Sequence, residues 1–192
     1  MNEERRETWD RRHATAGGAP AAADVLRQNR HLLPARGMAL DLACGRGGNA
    51  LLLAAAGLET HAWDLSPVAI GALHAEAAAR GLPIQAQVRD VVADPPPPEA
   101  FDVIVVSHFL ERALAPALIE ALRAGGLLFY QTFTRERVGD AGPRNPDYRL
   151  APNELLELFR PLCLRVYREE GWLGDTGRGW RDRAMLVGER TG

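Results

Sequence analysis

The sequence contains no lysine: all 23 basic residues are arginines, set against 25 acidic residues, for a formal net charge of -2 at pH 7. Without lysine the protein has no Schiff-base lysine, no phosphate-binding P-loop lysine and no tyrosine–lysine catalytic pair. The nearly balanced charge gives no general attraction to nucleic acid or to an anionic membrane surface. We therefore expect neither of these as a partner.

Cysteine is scarce as well, since Cys44 and Cys163 are the only two. They form no disulfide framework, and we expect both to pack in the core without a chemical role. No apolar run approaches the roughly 20 residues that span a bilayer. Five of the first seven residues are charged, unlike in a signal peptide. We expect a cytoplasmic protein, monomeric or homodimeric, with no metal site.

A length of 192 residues is typical of one domain. We expect residues 1–35 to form an N-terminal helical cap and residues 36–192 to form the core. Short apolar runs and helical segments alternate through that core. Strands are predicted at residues 38–43, 59–63, 84–88, 101–107, 127–133, 162–168 and 184–188. Helices are predicted at residues 1–14, 25–33, 49–56, 67–80, 112–124 and 153–159, the fourth capped by Ser66 and the last by Asn153.

This alternation predicts an α/β fold with a Rossmann-like, doubly wound sheet of seven strands. The sheet should be mostly parallel. The last two predicted strands have no helix between them, so they should pair antiparallel through a long glycine-rich hairpin loop at residues 171–179.

The first predicted strand runs into a loop that contains Gly45, Gly47 and Gly48. In open parallel sheets, ligands bind beyond the carboxyl ends of the strands, and glycine lets the backbone approach a ligand closely. The spacing Gly45-x-Gly47-x-x-Ala50 also fits the dinucleotide fingerprint. An NAD(P)-dependent oxidoreductase is therefore one alternative, and a turn that only packs helix on strand is another.

Acidic residues end three of the predicted strands. Asp41 precedes the glycine loop, where a carboxylate repels a pyrophosphate but suits a ligand that carries an ammonium and a sulfonium group. Asp64 ends the second strand and can accept hydrogen bonds from both hydroxyls of a ribose, a feature that NAD enzymes share. Asp90 adds an acid after the third strand. Together these acids favour a positively charged nucleoside over a diphosphate.

Several segments of the chain resemble the motifs of class I S-adenosylmethionine (SAM)-dependent methyltransferases, in the same order, over roughly residues 38–130. Within that superfamily the chain is most similar to the small bacterial tellurite-resistance and thiopurine-methyltransferase-like group, on residues 130–133 and 142–146. The motif-like segments are Ala39–Gly47 (motif I), Trp63–Ser66 (second-strand acidic motif), Arg89–Val91 (adenine contact), Phe101–Val106 (motif IV) and Leu122–Leu128 (fifth-strand motif).

The resemblance implies SAM as the cofactor, S-adenosylhomocysteine as its product and a site made of residues from several strand ends. The implied positions are Asp41, Gly45 and Gly47 for the methionine part, Asp64 and Leu65 for the ribose, Asp90 and Val91 for adenine, Ser107 and His108 beside the sulfonium and the acceptor, and Trp9 or Arg12 for the cofactor carboxylate. Ala43 and Asn49 are also expected to bind the cofactor.

The sequence has no appended recognition domain, so we expect a small-molecule acceptor. A general base is needed only if the acceptor arrives protonated, and His108 is the best-placed candidate because histidine titrates near neutral pH. Its alternative role is to hydrogen-bond the loop. His13 is expected to be exposed and inert. A SAM-binding protein without turnover is a further alternative.

Two arginine-rich segments each allow two interpretations. The segment Arg178–Arg183 either binds an anionic substrate or partner or forms a solvated hairpin. Arg144, Asn145 and Arg149 either border the acceptor pocket or fasten a long loop.

Overall fold

The seven strands of the computed structural model, which describes residues 2–15, 17 and 20–192, form a single sheet in the order β3-β2-β1-β4-β5-β7-β6. The strands are β1 (Met38–Leu42), β2 (Glu59–Asp64), β3 (Ile84–Val88), β4 (Phe101–Ser107), β5 (Leu122–Phe133), β6 (Cys163–Glu169) and β7 (Arg183–Glu189). The α-helices are α1 (Asn2–Ala14), α2 (Asp24–Gln28), α3 (Gly48–Ala55), α4 (Pro67–Arg80), α5 (Ala115–Ala121) and α6 (Glu154–Leu158).

The directions of the strands confirm the predicted fold class. Strands β1 to β5 pair in parallel, whereas β7 pairs antiparallel with both β5 and β6. The strand order reverses between β1 and β4, which are hydrogen-bonded neighbours. Such a switch point is where an open α/β sheet binds its ligands.

Strand β4 shows why both faces of the sheet are covered. Its run of β-branched residues has no polar alternation, which is typical of a strand buried on both sides. Ile104 and Val106 pack into the cluster that contains residues of α5 and α6. Val103 and Val105 pack into the opposite cluster, with residues of α2 and α3.

The connection into β5 differs from the prediction. The helix expected over residues 112–124 is a 3-10 turn at Arg112–Leu114 followed by the short α5. The chain turns extended at Leu122 because this residue pairs with Phe101 at the start of β4. Gly125, with φ +79°, lies within β5 instead of in a turn before it. Sheet pairing here overrides the helix propensity of the segment.

One of the two predicted N-caps is confirmed. The Ser66 hydroxyl accepts a hydrogen bond from Ala69 N, 3.2 Å away, at the start of α4. The prediction that the Asn153 side chain caps α6 was wrong. The residue lies in the left-handed region (φ +63°), and its side chain makes no capping hydrogen bond. The Glu154 carboxylate instead accepts from Ala151 N, 2.6 Å away, which closes the turn that precedes α6.

The predicted helix over residues 25–33 is also shorter in the structure. Helix α2 ends at Gln28 and is followed by a 3-10 turn at Arg30–Leu32. Among the described residues, no helix is long and apolar enough to cross a bilayer.

Candidate functional site

The glycine-rich loop after β1 packs tightly against α4 and the Pro20 carbonyl, whereas on its other side it is approached only by His13 of α1. A Cβ at Gly47 (φ +78°) would lie 2.3 Å from Leu73 of α4, and one at Gly48 would lie 2.6 Å from the Pro20 carbonyl. These two glycines therefore serve the packing of the loop. A Cβ at Gly45 (φ +52°) would meet only His13, at 3.2 Å. Gly45 is thus the part of the loop that can face a ligand beneath α1.

Asp41 lies under this loop with no exposed surface. One carboxylate oxygen accepts from Asn49 Nδ2 at 3.1 Å and the other from Ala50 N at 3.0 Å, in the first turn of α3. Burial raises the pKa of Asp41 to about 7. Asp41 therefore supports the loop in this structure, and its contact with the methionine part of a cofactor stays a prediction.

Asn49 connects the two halves of the sheet. Its amide nitrogen donates to Asp41 and also to Ser107 Oγ at the end of β4, 3.0 Å away. Its amide oxygen accepts from Ala23 N at 2.8 Å. All of these amide groups are engaged within the protein, so Asn49 positions the site and has no free donor for a cofactor.

Asp64 ties the end of β2 to the glycine loop. Its two carboxylate oxygens accept from Gly45 N at 2.7 Å and from Ser66 N at 2.8 Å. Burial raises the pKa of Asp64, although the residue keeps 8% of its surface exposed. A carboxylate has about four acceptor positions, so further donors can bind. The ends of β1 and β2 therefore meet at the glycine loop, with half-buried Leu65 beside Asp64.

Helix α1 packs over the glycine loop. Its contacts correct the expectation that His13 is exposed, because the residue is half-buried. The His13 ring lies over Gly45, and its charge acts on Asp64. The Ser66 hydroxyl donates to Asp10 of the same helix. Helical spacing was the available signal, since Asp10 and His13 are three residues apart and share a face.

The two N-terminal residues predicted for the cofactor carboxylate lie next to this contact. Trp9 stacks on His13 with ring centroids 6.0 Å apart. The guanidinium of Arg12 lies 4.8 Å from the centre of the Trp9 ring. Trp9 therefore contacts both Arg12 and His13, and a role for either Trp9 or Arg12 at the cofactor stays a prediction.

The segment after β3 forms a compact turn. One Asp90 oxygen accepts from Val92 N at 3.1 Å and from Ala93 N at 3.4 Å. Val91 is buried, and the Arg89 guanidinium packs 3.9 Å from the centre of the Trp63 ring. This turn holds the end of β3 beside β2, and the contact of Asp90 and Val91 with adenine stays a prediction.

His108 follows β4 in the left-handed region, with φ +57°. Its backbone N–H donates to the Gln131 carbonyl at 2.8 Å, and its Nε2 lies 3.3 Å from Gln131 Nε2. Gln131 Oε1 accepts from Val25 N at 2.8 Å, which fixes the orientation of the amide and makes its nitrogen the donor. His108 Nε2 is then the acceptor, and the neutral ring carries its proton on Nδ1.

The residue His108 as a whole is exposed, but its ring packs against Gln131 and Phe133, the latter with centroids 5.1 Å apart. This loss of water around the ring, and next the charge of Arg183, lower the pKa of His108, while Asp24 opposes the shift. A neutral ring is therefore favoured at pH 7. To act as a base through Nε2, it would have to give up the contact with Gln131, a buried polar residue that the sequence analysis missed.

Arg149 fastens the loop between β5 and α6. It is 1% exposed and donates to the carbonyls of Pro143 at 2.7 Å, of Thr134 at 2.8 Å and of Ala141. Asn145 accepts from Asp147 N at 2.9 Å within the same loop. These contacts support loop fastening over a direct role at the acceptor pocket.

The hairpin loop between β6 and β7 is also closed by arginine. Arg181 donates to the carbonyls of Arg178 at 2.7 Å and of Gly171 and Asp175, each at 2.9 Å. Trp180 is buried against α2. Trp180 and Arg181 are therefore structural, residues 172–179 are exposed as in a solvated hairpin, and the binding of an anion by this segment stays a prediction.

The two cysteines differ in their environments. Cys44 is buried, and burial raises the pKa of its thiol well above the ordinary value, so the thiol stays protonated and packs. Cys163 is only half-buried at the start of β6, so the prediction that it lies in the core was wrong.

The charges around the loop fit a cationic nucleoside. Burial disfavours the ionised form of Asp41, and the charge of Asp64 disfavours it further. A ligand that brings positive charge stabilises both carboxylates, whereas a diphosphate adds repulsion. The open face of Gly45 and the remaining acceptor positions of Asp64 suit the ammonium, sulfonium and ribose groups of SAM.

Comparisons with known proteins agree with this geometry. A sequence profile described as a methyltransferase domain matches residues 39–126. Hemagglutinin 1 of Eikenella corrodens is 39% identical over 88 residues, which make up 44% of this chain and 29% of that protein. The matching segment is thus less than a third of that relative.

Solved structures match over most of the chain. One, described as the conversion of a disulfide bond into a thioacetal group during echinomycin biosynthesis, has a TM-score of 0.72 and 25% identity over 97% of this chain and 92% of its own. TehB from Haemophilus influenzae has a TM-score of 0.70 and 23% identity over 97% of this chain and 67% of its own. A SAM-dependent methyltransferase from Mesorhizobium loti has a TM-score of 0.68 and 20% identity over 88% of this chain and 99% of its own.

Proposed function

We propose that this chain is a class I SAM-dependent methyltransferase that methylates a small molecule at the carboxyl edge of its sheet, as the methyltransferase-domain profile over residues 39–126 supports. The observation that carries the proposal is the junction at Gly45, whose N–H is held by Asp64 at 2.7 Å while buried Asp41 lies beneath the same loop. This junction concentrates negative charge at a bend that still has an open face.

The residues around that junction divide the binding of SAM among the strand ends. Asp64 is proposed to hold the ribose diol, because carboxylates form strong charge-assisted hydrogen bonds. Leu65 and Val91 provide apolar surface on either side. Asp90 is proposed to accept from the adenine amine, and Gly45 with Ala43 to border the methionine part.

SAM supplies a methyl group that its sulfonium sulfur has already activated for displacement. The contribution of the protein is then mainly alignment, which lowers a barrier by about 7–11 kcal/mol in favourable cases. Asn49 fixes the distance between the ends of β1 and β4 by bonding to both Asp41 and Ser107. The site is rigid where the donor and the acceptor are proposed to meet.

His108 is proposed to contact the acceptor from the β4 side. Its contact with Gln131 leaves the Nδ1–H as a donor toward a bound molecule. A neutral acceptor that must lose a proton would require the ring to turn away from Gln131, whereas an acceptor that arrives as an anion would not.

Calorimetric titration with SAM, S-adenosylhomocysteine and NAD tests the cofactor. We expect the first two to bind and NAD not to bind; NAD binding without SAM binding would instead support an oxidoreductase. Turnover is tested with radiolabelled SAM against sulfur, oxygen, nitrogen and metalloid acceptors. Inactivity across that set, with SAM bound, would leave a binding protein without catalysis.

The variant Asp64→Asn tests the ribose contact. Losing a charged acceptor costs about 1.5–3 kcal/mol, so SAM should bind roughly 10–100-fold more weakly. Asp140→Asn is the matched control, because the Asp140 side chain is fully exposed on a distant loop. Unchanged SAM affinity in a folded Asp64→Asn protein would remove Asp64 from the site.

A further inference from the structure

Beyond β4, β5 and β7 lies a second cluster, separate from the acids of β1 and β2. Phe133 ends β5 and pairs with Arg183, which begins β7. The Phe133 ring lies 5.1 Å from the His108 ring, between centroids, and 5.6 Å from the guanidinium carbon of Arg183. Because Ser107, the residue before His108, is bonded to Asn49, this cluster adjoins the proposed methyl-transfer site.

Arg183 carries positive charge that its surroundings balance only in part. Its Nη1 lies 3.6 Å from one oxygen of Asp24. That carboxylate also pairs with Arg27 and accepts from Trp180 Nε1 at 3.3 Å, so one negative charge serves two guanidinium groups.

The Nε–H of Arg183 is buried and has no hydrogen-bond partner within residues 2–15, 17 and 20–192. A buried donor that lacks an acceptor costs about 1–3 kcal/mol of stability. The side chain is 31% exposed, so a bound molecule can reach the guanidinium. Because Nε itself has no exposed surface, a ligand would contact the guanidinium through its terminal nitrogens.

The acids of the adjoining segments are committed elsewhere. Asp182 accepts from Val138 N and Gly139 N, and one oxygen of Glu169 accepts from Asn153 N and the Tyr167 hydroxyl. These contacts hold loops, and neither carboxylate pairs with Arg183 in the described structure.

We propose that Arg183 and His108 form an anion-binding subsite, and that the methyl acceptor is a small organic anion whose carboxylate or similar planar oxyanion binds there. The guanidinium offers a planar fork of donors that matches a carboxylate, and the His108 Nδ1–H adds a third. The half-buried Phe133 ring, which contacts both side chains, can add apolar contact to the same molecule. The identification of this anion as the acceptor rests on the proposed function, but its binding does not.

Paired probes test the charge requirement on the full chain. Phenylacetate and its neutral counterpart phenylacetamide are titrated by calorimetry, at constant ionic strength with chloride, with and without S-adenosylhomocysteine. We expect phenylacetate to bind at least tenfold more tightly than phenylacetamide. Equal binding of the two probes, or binding of neither, overturns the subsite without the need for any variant.

Variants then locate the charge. Arg183→Gln should lower phenylacetate affinity to the level of phenylacetamide. Arg165→Gln removes the same charge from neighbouring β6, where Arg165 pairs with Glu189, and should leave the affinity unchanged. A folded Arg183→Gln protein that binds phenylacetate as tightly as the wild type overturns the proposal. If this variant does not fold, the comparison of the two probes on the wild type decides.

The same titrations separate this subsite from the proposed function. Binding of S-adenosylhomocysteine without preference for phenylacetate refutes the subsite and leaves the methyltransferase function standing. Preference for phenylacetate in a protein that binds neither SAM nor S-adenosylhomocysteine refutes the function and leaves the subsite standing.

Discussion

Replacing Asp41 by asparagine should change how the stability of the protein depends on pH. In the native protein burial raises the pKa of Asp41 to about 7, from an ordinary value of 3.8. A carboxyl group whose pKa is raised by folding contributes stability below its unfolded pKa and loses that contribution as pH rises through its folded pKa. The free energy of unfolding therefore falls, from this group alone, between about pH 4 and pH 7.

The size of the effect follows from the shift. A difference of about 3 pKa units at 1.36 kcal/mol per unit corresponds to about 4 kcal/mol. The asparagine side chain does not titrate, so the variant lacks this loss. The variant instead carries a penalty that does not depend on pH. The asparagine side chain has only one acceptor oxygen, so its NH₂ group must face one of the two donors that Asp41 accepts from, Asn49 Nδ2 or Ala50 N. Asn49 cannot turn away, because Ala23 and Ser107 hold it in place.

Urea denaturation of both proteins from pH 4.5 to pH 8.5 measures the difference directly. The stability of the wild type minus that of Asp41→Asn should fall by about 3 kcal/mol over this range, because part of the total of about 4 kcal/mol is lost below pH 4.5; the constant penalty does not affect this difference in slope. Asp140→Asn, at a fully exposed carboxylate, should run parallel to the wild type. Parallel curves for Asp41→Asn, within about 1 kcal/mol, would show that burial does not hold this carboxyl near neutrality.

Two more substitutions test the cover of the site and its supporting loop. His13→Ala should speed the dissociation of S-adenosylhomocysteine in stopped-flow experiments, because His13 is the group that covers Gly45; the exposed His31→Ala is the control, and equal rates would mean that α1 does not cover the ligand. Arg149→Met should lower the free energy of unfolding by at least about 3 kcal/mol, because three carbonyls lose their donor, and proteolysis should then cut within residues 134–150. Wild-type resistance to protease in this variant would contradict the fastening role.

The parts of the fold that the sequence predicted well depend on local patterns. Strand β4 is an uninterrupted β-branched run, and α4 begins with a serine cap and a proline, so their bounds need no knowledge of the neighbouring chain. Leu122 shows the limit of such patterns. It follows helix-forming residues, but it becomes extended because Phe101, distant in sequence, is available for pairing.

The candidate site divides in the same way. The contact between Asp64 and Gly45 follows from topology, because the carboxyl ends of parallel neighbours meet at one edge. The role of Gln131 was not predictable. Its amide matters only because Val25 N, from a segment more than a hundred residues earlier, reaches its oxygen and thereby determines which His108 nitrogen carries the proton.

The same short segment at the start of α2 reaches both sides of the site. Ala23 N donates to Asn49, which bonds Asp41 and the end of β4. Two residues later, Val25 N donates to Gln131. The donor in each bond is a backbone N–H group at the beginning of a helix, where such donors have no partner within the helix. The side chains of Asn49 and Gln131 therefore accept hydrogen bonds from the free N–H groups at the start of α2, and these bonds fix the orientation of both amides.

Between these two residues, the Asp24 side chain pairs with Arg183 and accepts from Trp180. Three consecutive residues thus make three separate contacts. Ala23 contacts Asn49, which bridges β1 and β4, Asp24 contacts Arg183 of the proposed anion subsite, and Val25 contacts Gln131, whose amide sets the His108 tautomer. Residues Ala23–Val25 are also buried or half-buried, so this arrangement is held by packing as well as by hydrogen bonds. Residues Ala23–Val25 are therefore part of the proposed site, because its proposed cofactor side and its proposed acceptor side both depend on where these residues pack.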